Sequence, residues 1–188
     1  MPEPWRLFVA VPLPSALRRD IASRVAEWQA EAATASTTEL RWGEPVSWHV
    51  TLAFLGLTLP DDVGSISEAV RNAVTGHSAF SLLTGGLGAF PKPEYARVIW
   101  YGVYDDGHLA ALARSVRAGL RLADEGALRP HITLARAPNA TSVVDWLISH
   151  HAPAGELPVQ TIELMRSHVG VGPARYEKLT RVELRRRL

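Results

Sequence analysis

The chain has 188 residues, of which 47% are apolar, and a formal net charge of +1 at pH 7. This length and composition allow one domain with a substantial core, so residues 1–188 are interpreted as a single domain. The near-neutral charge argues against a protein that coats nucleic acid by bulk attraction, and the absence of cysteine excludes disulfides, thiolate catalysis and cysteine-ligated metals.

The first half of the chain predicts two strands and two helices. The apolar run from Leu7 to Val11, followed by prolines, predicts a buried strand. Apolar residues recur near the helical period from Ser15 to Ala33 and from Pro60 to Val74, so both segments are predicted to be helices. Between them, Ala32 to Thr38 is predicted to be a loop, and Val46 to Leu55 a strand.

The second half predicts five strands, two helices and a Gly/Pro-rich loop. The loop, from Gly85 to Pro93, lacks phosphate-loop spacing. The predicted strands are Phe80 to Leu83, Ala96 to Val103, His131 to Arg136, Val159 to Val169 and Tyr176 to Leu184, the last two joined around Gly170-Val171-Gly172-Pro173. The predicted helices are His108 to Ala123 and Ser142 to Ser149.

No segment of the sequence predicts membrane insertion. The first residues lack a basic leader followed by a long apolar stretch, and no unbroken apolar run is long enough to span a bilayer. We therefore expect a soluble, cytoplasmic protein without a membrane partner.

One motif occurs twice, as His49-Val50-Thr51-Leu52-Ala53 and as His131-Ile132-Thr133-Leu134-Ala135. Alternate residues of a strand point to opposite sides, so each copy presents His and Thr on one face and apolar residues on the other. A single histidine would be interpreted as structural, but two of only 7 histidines begin the same string. The duplication favours a groove that brings two imidazoles and two hydroxyls to one ligand.

The order of elements lacks the regular strand-helix alternation and the Gly-rich nucleotide loop that are typical of a doubly wound sheet. An α+β fold with largely antiparallel sheets is therefore expected. The repeated motif adds pseudo-symmetry to this expectation. We expect two pseudo-symmetric lobes, each an antiparallel sheet with helices outside, enclosing a central cleft where the two motifs meet.

The motifs belong to a longer pattern that covers nearly the whole chain. The pattern comprises Arg6-Leu7-Phe8-Val9-Ala10, Arg41-Trp42, His49-Val50-Thr51-Leu52-Ala53-Phe54-Leu55-Gly56, Gly88-Ala89-Phe90-Pro91, Arg97-Val98-Ile99-Trp100, Arg129-Pro130-His131-Ile132-Thr133-Leu134-Ala135-Arg136 and Ala174-Arg175-Tyr176. In this order the segments resemble the bacterial and archaeal RNA 2′,3′-cyclic phosphodiesterases, also called 2′-5′ RNA ligases, of the 2H phosphoesterase superfamily.

The resemblance implies a bilobal α+β fold with a water-filled cleft, and hydrolysis of a terminal 2′,3′-cyclic phosphate to a 2′-phosphate. By position, it implies that His49 donates a proton to the leaving 3′ oxygen and that His131 accepts a proton from water. The residues alone cannot order two identical motifs, so these two roles rest on the family.

The paired motifs suit acid-base cleavage of a phosphate ester. In-line attack needs a base beside the entering water and an acid beside the leaving oxygen, and one histidine per lobe meets that need. Imidazole has an ordinary pKa of about 6.5, so one ring can be neutral and the other protonated near neutral pH. Thr51 and Thr133 would donate hydrogen bonds to non-bridging oxygens. We expect neither a metal nor a cofactor.

Four further side chains are candidates for substrate binding. Arg136 is a candidate phosphate ligand. In a regular strand it would share the apolar face of the motif, so the strand must have ended or twisted before it. A solvated strand-end residue is the alternative for Arg136. Phe8, Trp42 and Tyr101 are candidates for stacking on a base, with core packing as the alternative for each.

The sequence offers no convincing metal site and points to few partners. His150 and His151 are adjacent, so their side chains diverge on a helix, and no Glu-x-x-His or His-x-His string is present. The expected partners are RNA ends or oligonucleotides that carry a 2′,3′-cyclic phosphate. We expect a monomer with no obligate protein partner.

Two other functions remain open at the level of sequence. The first is a 2H phosphoesterase that acts on another substrate, such as ADP-ribose cyclic phosphate or a 2′-5′-linked oligonucleotide. The second is a non-catalytic module that binds RNA ends, although such a module has little need of matched proton-transfer groups. Joining RNA ends through a 2′-5′ bond is the reverse of related chemistry and is a further expected activity.

Overall fold

The computed structural model describes residues 2–34, 40–123, 126–168 and 174–186. Four α-helices lie within these residues: α1 (Ser15–Thr34), α2 (Val63–Ala73), α3 (His108–Gly119) and α4 (Val144–Ser149). The described strands are β1 (Trp5–Pro12), β2 (Arg41–Trp42), β3 (His49–Thr58), β4 (Phe80–Phe90), β5 (Ala96–Tyr104), β6 (His131–Thr141), β7 (Gly155–Val159), β8 (Thr161–His168) and β9 (Arg175–Glu183).

The strands form one sheet with two similar halves. In the order β7-β4-β5-β6-β3-β1-β8-β9, neighbouring strands are hydrogen-bonded and antiparallel, and β2 pairs with β6 outside this order. The halves β7-β4-β5-β6 and β3-β1-β8-β9 meet through a single paired position, Val50 opposite Ile132. The two motif strands are therefore adjacent at the centre of the molecule.

Apart from the short β2, which lies between β1 and β3 in sequence and pairs with β6, the chain crosses between the halves twice. After α2 the chain enters the β5-β6 half as β4. After α4 it forms β7 in the same half and then returns to the β1-β3 half as β8. The β5-β6 half therefore contains β4 from the first half of the sequence, and the β1-β3 half contains β8 and β9 from the second half. This exchange ties the two motif strands together, and it confirms the expected α+β fold with pseudo-symmetric antiparallel lobes. The two lobes belong to one continuous sheet, because β3 of one lobe pairs with β6 of the other.

The core lies on one side of the central strands. Val50, Leu52, Ile132 and Leu134 are fully buried there, and the apolar faces of α1 and α3 pack against the same cluster. The helices form because their apolar residues recur at helical spacing, as at Leu17, Ile21, Val25 and Trp28 of α1, all of which are buried. With one face covered by helices, the opposite face of the motif strands is left for the cleft.

Most predicted elements are present, with changes at their ends. Helix α2 begins at Val63 after a turn of 3-10 helix, and α3 ends at Gly119 rather than at Ala123. The short strands β2 and β7 were not predicted. The predicted loop from Ala32 overlaps the end of α1, and its remainder at residues 35–39 lies outside the described residues, as does the predicted turn at Gly170-Val171-Gly172-Pro173. No described helix is long and apolar enough to cross a membrane.

The predicted Gly/Pro-rich loop from Gly85 is instead largely strand, since β4 continues to Phe90. The pairing of β4 with β5 shifts between Thr84 and Leu87, where Gly85 and Gly86 both have positive φ angles of 156° and 69°. Glycine supplies the backbone freedom that this bulge requires, and the strand resumes beyond it. Glycine content alone therefore misidentified a bulged strand as a loop.

Candidate active site

The two motif strands have the same burial pattern over their first six residues. In β3 and in β6, His and Thr are partly buried, the three apolar residues are buried, and the sixth residue is exposed. This pattern confirms that His and Thr share one face of each strand, opposite the core. The sixth residues are Phe54 and Arg136, which are both exposed.

A β-bulge at the same motif position in both strands explains where those sixth residues point. Pairing with the neighbouring strand skips Leu52 in β3 and Leu134 in β6, so one residue on each motif strand has no partner. The extra residue reverses the alternation, and the sixth residue returns to the face of His and Thr. Arg136 therefore points into the cleft within β6, which continues to Thr141. The sequence analysis expected the strand to end or twist before Arg136, and the bulge is the local change that turns this side chain.

Both catalytic candidates are oriented by the backbone two residues before them. The Nδ1 atom of His49 lies 2.7 Å from the carbonyl oxygen of Ser47, and that of His131 lies 2.7 Å from the carbonyl oxygen of Arg129. A carbonyl oxygen can only accept a hydrogen bond, so Nδ1 carries the proton in each ring. Nε2 is then the atom of each imidazole that accepts a proton when neutral and donates one when protonated.

A cleft of about 910 Å³ brings the two motifs together. His49, Thr51, His131 and Thr133 all line it, and no aspartate or glutamate occurs among its described lining residues. Its other charged, titratable or aromatic lining residues are Arg6, Arg41, Arg136, His168, Phe8, Trp42, Phe54, Phe90 and Tyr176. A cleft with this lining favours an anion that carries an aromatic group.

Aromatic packing makes the environments of the two histidines unequal. The ring of His49 lies 4.8 Å from that of Phe8 and 5.1 Å from that of Tyr176, whereas the ring of His131 lies 4.9 Å from that of Phe90. Burial lowers the pKa of His49 to about 4, and the charges of His131 and Arg136 act in the same direction, although the Ser47 carbonyl opposes them.

The same causes act on His131 and Tyr176. Burial lowers the pKa of His131, with the charge of Arg136 adding to the effect and the Arg129 carbonyl opposing it. Burial also raises the pKa of the Tyr176 hydroxyl, while the charge of Arg136 acts against that shift. The guanidinium of Arg136 is therefore close enough to influence both histidines and the tyrosine.

The three residues predicted to stack on a base lie in different environments. Trp42 is partly buried at the wall of the cleft, with its ring 6.2 Å from that of Trp146. Phe8 also reaches the cleft but is only 3% exposed, so its ring supports His49 rather than offering a free platform. The assignment of Tyr101 to the substrate site is wrong. Tyr101 is 1% exposed and its hydroxyl donates to the carbonyl of Pro153.

The strand pairing gives the reason for the error at Tyr101. Trp100 pairs with Thr133, and Tyr101 pairs with Ile132, so Tyr101 has the orientation of the core face. Arg6, Arg41, Phe54, Phe90 and Tyr176 line the cleft but were not predicted as site residues. The signal for Phe54 was its position in the motif, equivalent to that of Arg136, and the others lie in the segments that carry the family resemblance.

A second hollow of about 520 Å³ adjoins the cleft. It shares Thr51, Phe54, Phe90 and His131 with the cleft, and its remaining wall includes Arg117 and Arg129. The Nε atom of Arg117 donates to the carbonyl of Leu52 at 3.1 Å, which fixes this side chain against the bulge of β3. His131 lines both the cleft and the second hollow, so it has space for ligand groups on two sides.

Because the chain lacks cysteine, its potential metal ligands are acidic and histidine side chains. Across residues 2–34, 40–123, 126–168 and 174–186, no group of three or more such side chains is arranged to hold a metal ion. His150, half of the adjacent histidine pair, has its Nδ1 at 2.7 Å from the carbonyl oxygen of Trp146 and its Nε2 at 2.7 Å from a carboxylate oxygen of Glu31.

Comparison with known proteins agrees with this architecture. Residues 16–100 match the family model of the LigT-like phosphoesterases. An RNA 2′,3′-cyclic phosphodiesterase of Methanothermobacter thermautotrophicus is 31% identical over 173 aligned positions, and the alignment covers 87% of this chain and 90% of the relative. Crystal structures of E. coli LigT in the apo form and complexed with 3′-AMP superpose with TM-scores of 0.75 and 0.74, each at 27% identity and covering 97% of this chain and 99% of LigT.

The first histidine motif lies inside the region that matches the family model, and the second is reached by the longer similarity to the archaeal relative and to E. coli LigT. The identity, the coverage and the shared fold together show that this chain belongs to the LigT-like phosphoesterase family of the 2H superfamily.

Proposed function

We propose that the protein hydrolyses the 2′,3′-cyclic phosphate at an RNA end to a 2′-phosphate. The observation that carries this proposal is the pair of motif histidines in one cleft, each with Nδ1 held by a carbonyl and Nε2 left for chemistry. The archaeal relative is an RNA 2′,3′-cyclic phosphodiesterase and E. coli LigT forms a complex with 3′-AMP, and both support a substrate with a nucleoside phosphate.

In the proposed reaction, water attacks phosphorus in line with the bond to the 3′ oxygen. His131, neutral at Nε2, takes a proton from the water as the new P–O bond forms. His49, protonated at Nε2, gives its proton to the 3′ oxygen as the P–O3′ bond breaks. The products are a 3′-hydroxyl and a 2′-phosphate. The order of donor and acceptor follows the family resemblance, since both rings have the same tautomer.

Three side chains of the cleft are proposed to stabilise the transition state. Thr51 and Thr133 donate hydroxyl hydrogen bonds to the non-bridging oxygens, on which charge accumulates as water attacks. Arg136 adds a cation that faces the same space. These donors and the two proton transfers supply the chemistry of the proposal without a metal or an organic cofactor.

Substrate binding is proposed to set the protonation states that the reaction needs. Burial lowers the pKa of His49 to about 4 and lowers that of His131, so both rings are mostly neutral in the free protein at pH 7. An anionic phosphate between them favours the protonated form of a neighbouring imidazole. Entry of the substrate therefore promotes the uptake of the proton that His49 later donates.

A short oligonucleotide that ends in a 2′,3′-cyclic phosphate provides the direct test. Incubation with the protein in the presence of EDTA is expected to give an end with a 2′-phosphate and a free 3′-hydroxyl, identified by phosphorus NMR. A 3′-phosphate product, or loss of turnover in EDTA, would overturn the proposed mechanism. Tight binding of the cyclic end with no turnover from pH 5 to 9 would instead indicate a binding module.

The second hollow favours one further candidate reaction, cleavage or formation of a 2′-5′ linkage between nucleotides. Such a linkage needs a nucleotide on each side of the reacting phosphorus, and the hollow that adjoins His131 provides space for the second one. Incubation of a 2′-5′-linked dinucleotide, compared with its 3′-5′ isomer, tests this candidate. Selective cleavage of the 2′-5′ isomer is the expected result.

The proposal includes the expected setting of the reaction. Its partners are RNA ends or oligonucleotides with a cyclic phosphate, and the protein acts as a cytoplasmic monomer without an obligate protein partner. Light scattering of the purified protein at assay concentration tests the oligomeric state.

A further inference from the structure

Tyr176 reaches the cleft from β9, a strand at the edge of the sheet. It pairs with Ser167 of β8, which in turn pairs with Arg6 of β1, and directly paired residues share a face of the sheet. All three residues line the cleft. The register therefore places Tyr176 on the cleft face of the sheet, although β1 and β8 lie between β9 and the motif strand β3.

The phenol ring of Tyr176 is fixed beside His49 by two edge-on contacts. Its centroid lies 5.1 Å from that of His49 at an interplanar angle of 87°, and 5.1 Å from that of Phe8 at 76°. Phe8 and His49 also contact each other, with their centroids 4.8 Å apart. Three rings in mutual contact restrict one another, so the hydroxyl of Tyr176 has a defined position relative to the imidazole.

The hydroxyl of Tyr176 has no partner in the part of the chain that the structure describes. A buried tyrosine hydroxyl usually finds one, as that of Tyr101 does by donating to the carbonyl of Pro153. Tyr176 is partly buried at the cleft wall, and its hydroxyl contributes no hydrogen bond to the fold. Its donor is therefore available to a ligand.

The surroundings of this hydroxyl favour an anionic oxygen as the acceptor. Burial raises the pKa of Tyr176, so the hydroxyl keeps its proton near neutral pH and can donate it. The charge of Arg136, which is proposed above to face the reacting phosphate, acts on Tyr176 and on both His49 and His131. These four side chains line one cleft, and no described acidic residue lies among its lining residues.

We infer that Tyr176 is a further catalytic residue, whose hydroxyl donates a hydrogen bond to a non-bridging oxygen of the reacting phosphate on the side of His49. The inference rests on the proposed function. Negative charge accumulates on this oxygen as water attacks, so the hydrogen bond is stronger in the transition state than in the bound substrate. Tyr176 thereby supplies a donor from the β3 half, where the sixth motif residue carries no charge.

Tyr176→Phe tests the hydroxyl because it keeps the ring. We expect kcat to fall about 10-fold or more, the loss typical of a hydrogen bond to a charged group, with a smaller change in KM. Thermal unfolding should be unchanged, since the hydroxyl has no described partner to lose. Tyr104→Phe is the matched control and should retain full kcat, because Tyr104 is exposed at the end of β5 and does not line the cleft.

Tyr176→Leu separates the ring from the hydroxyl. It removes both, so its kcat should be at least as low as that of Tyr176→Phe. If Tyr176→Phe has the kcat of the wild-type protein and only Tyr176→Leu is impaired, the ring acts by packing against His49 alone, and the inference is overturned.

Sulfur substitution identifies the oxygen that accepts the bond. The two diastereomers of adenosine 2′,3′-cyclic phosphorothioate carry sulfur in place of one or the other non-bridging oxygen, and sulfur is the weaker acceptor. For one diastereomer, the loss of rate relative to the oxygen substrate should be smaller in Tyr176→Phe than in the wild-type protein, because the variant has no bond there to weaken. Losses that are the same in both proteins for both diastereomers would overturn the inference.

A binding measurement keeps the test independent of turnover. The phosphate of adenosine 3′-phosphate carries more charge than the cyclic diester, so its affinity in calorimetric titration should fall about 3-fold or more in Tyr176→Phe and stay unchanged in Tyr104→Phe. That result supports the role of Tyr176 even if no cyclic phosphate is hydrolysed, in which case only the proposed function fails. Equal affinities of the wild-type protein and Tyr176→Phe would overturn the inference.

Discussion

The β3 half and the β6 half of the sheet build the same frame around different chemistry. Each supplies a histidine whose Nδ1 is held by the carbonyl two residues earlier, a threonine on the same face, and a bulge at the following leucine. The sixth residue of the motif then differs, since it is Phe54 in β3 and Arg136 in β6. The two halves therefore share the backbone geometry but differ in charge at the sixth position of the motif.

The aromatic packing around the two imidazoles also differs between the halves. His49 is packed against the rings of Phe8 and Tyr176, and burial lowers its pKa to about 4. His131 contacts the ring of Phe90, and its lower pKa has the same leading cause. Repetition of the backbone therefore positions two equivalent nitrogen atoms, while unequal packing and one arginine give each its own electrostatic environment.

The largest expected effect comes from removing either repeated histidine. His49→Ala and His131→Ala should each lower kcat by about 10²–10⁴-fold, because each positioned proton transfer contributes on that order. Thermal unfolding should change less for His131→Ala than for His49→Ala, because the ring of His49 packs against those of Phe8 and Tyr176. The matched control is His108→Ala, whose ring lies outside the cleft against Asp106. Full activity in either motif variant would contradict the shared role of the two halves.

The next effect tests the motif position at which the two strands differ in charge. Arg136→Phe makes the β6 motif resemble the β3 motif and removes the cation that faces both histidines. We expect kcat/KM to fall about 10–100-fold, since hydrogen bonds to charged groups contribute about 1.5–3 kcal/mol. Arg136→Lys should retain part of the activity because the charge remains. Phe54→Leu is the control on the other half and should have a much smaller effect, because Phe54 carries no charge.

The pH dependence of activity tests whether the packing around His49 and His131 sets their pKa values. Activity needs one protonated and one neutral ring, so kcat/KM falls at pH values below both pKa values and above both. Burial lowers the pKa of His49 to about 4 and that of His131 below its ordinary value, so the maximum of kcat/KM should lie on the acid side of about 6.5. The maximum of kcat should lie at higher pH, because the bound anion favours protonation.

Arg136→Gln tests how much the charge of Arg136 contributes to this pH dependence. Its charge lowers the pKa of both histidines, although less than burial does, so removing it should move the kcat/KM maximum towards higher pH while lowering its height. A wild-type kcat/KM maximum above pH 7 would show that the packing of the free protein does not set the protonation states.

The sequence predicted the elements that repeat and missed those that depend on pairing. Spacing alone placed His49 and Thr51 on one face, because the alternation of a strand is a local property. The orientation of Arg136 required a bulge, which is defined only by the partner strand. Tyr101 was misassigned for a similar reason, since aromatic character does not tell which face of β5 meets the core.

The region around β4 shows a second limit of sequence analysis. Its glycines suggested a loop, yet one of them belongs to a close contact between strands. A Cβ atom at Gly88 would lie 2.1 Å from the ring of Trp100. The glycine is there because an aromatic side chain from β5 lies across β4, and that ring also lies 5.4 Å from Phe90, the neighbour of His131. Such a requirement becomes visible only once the partner strand is known.

The smallest expected effect follows from this contact and concerns the support of the β6 half. Gly88→Ala should lower the free energy of unfolding by about 1–3 kcal/mol, as overpacking typically does, because Trp100 must move away from the new methyl group. Gly64→Ala is the matched control. Gly64 lies in α2, and a Cβ atom added there would have no neighbouring atom within 4 Å, so alanine should be neutral or slightly stabilising.

Urea denaturation of both glycine variants measures the difference, and a fall in kcat for Gly88→Ala alone would show that displacement of Trp100 reaches His131 through Phe90. Equal stability of the two variants would mean that the ring of Trp100 can relocate at little cost. In that case the packing behind His131 is less restrictive than the packing of Phe8 behind His49, and the two halves would differ in rigidity as well as in charge.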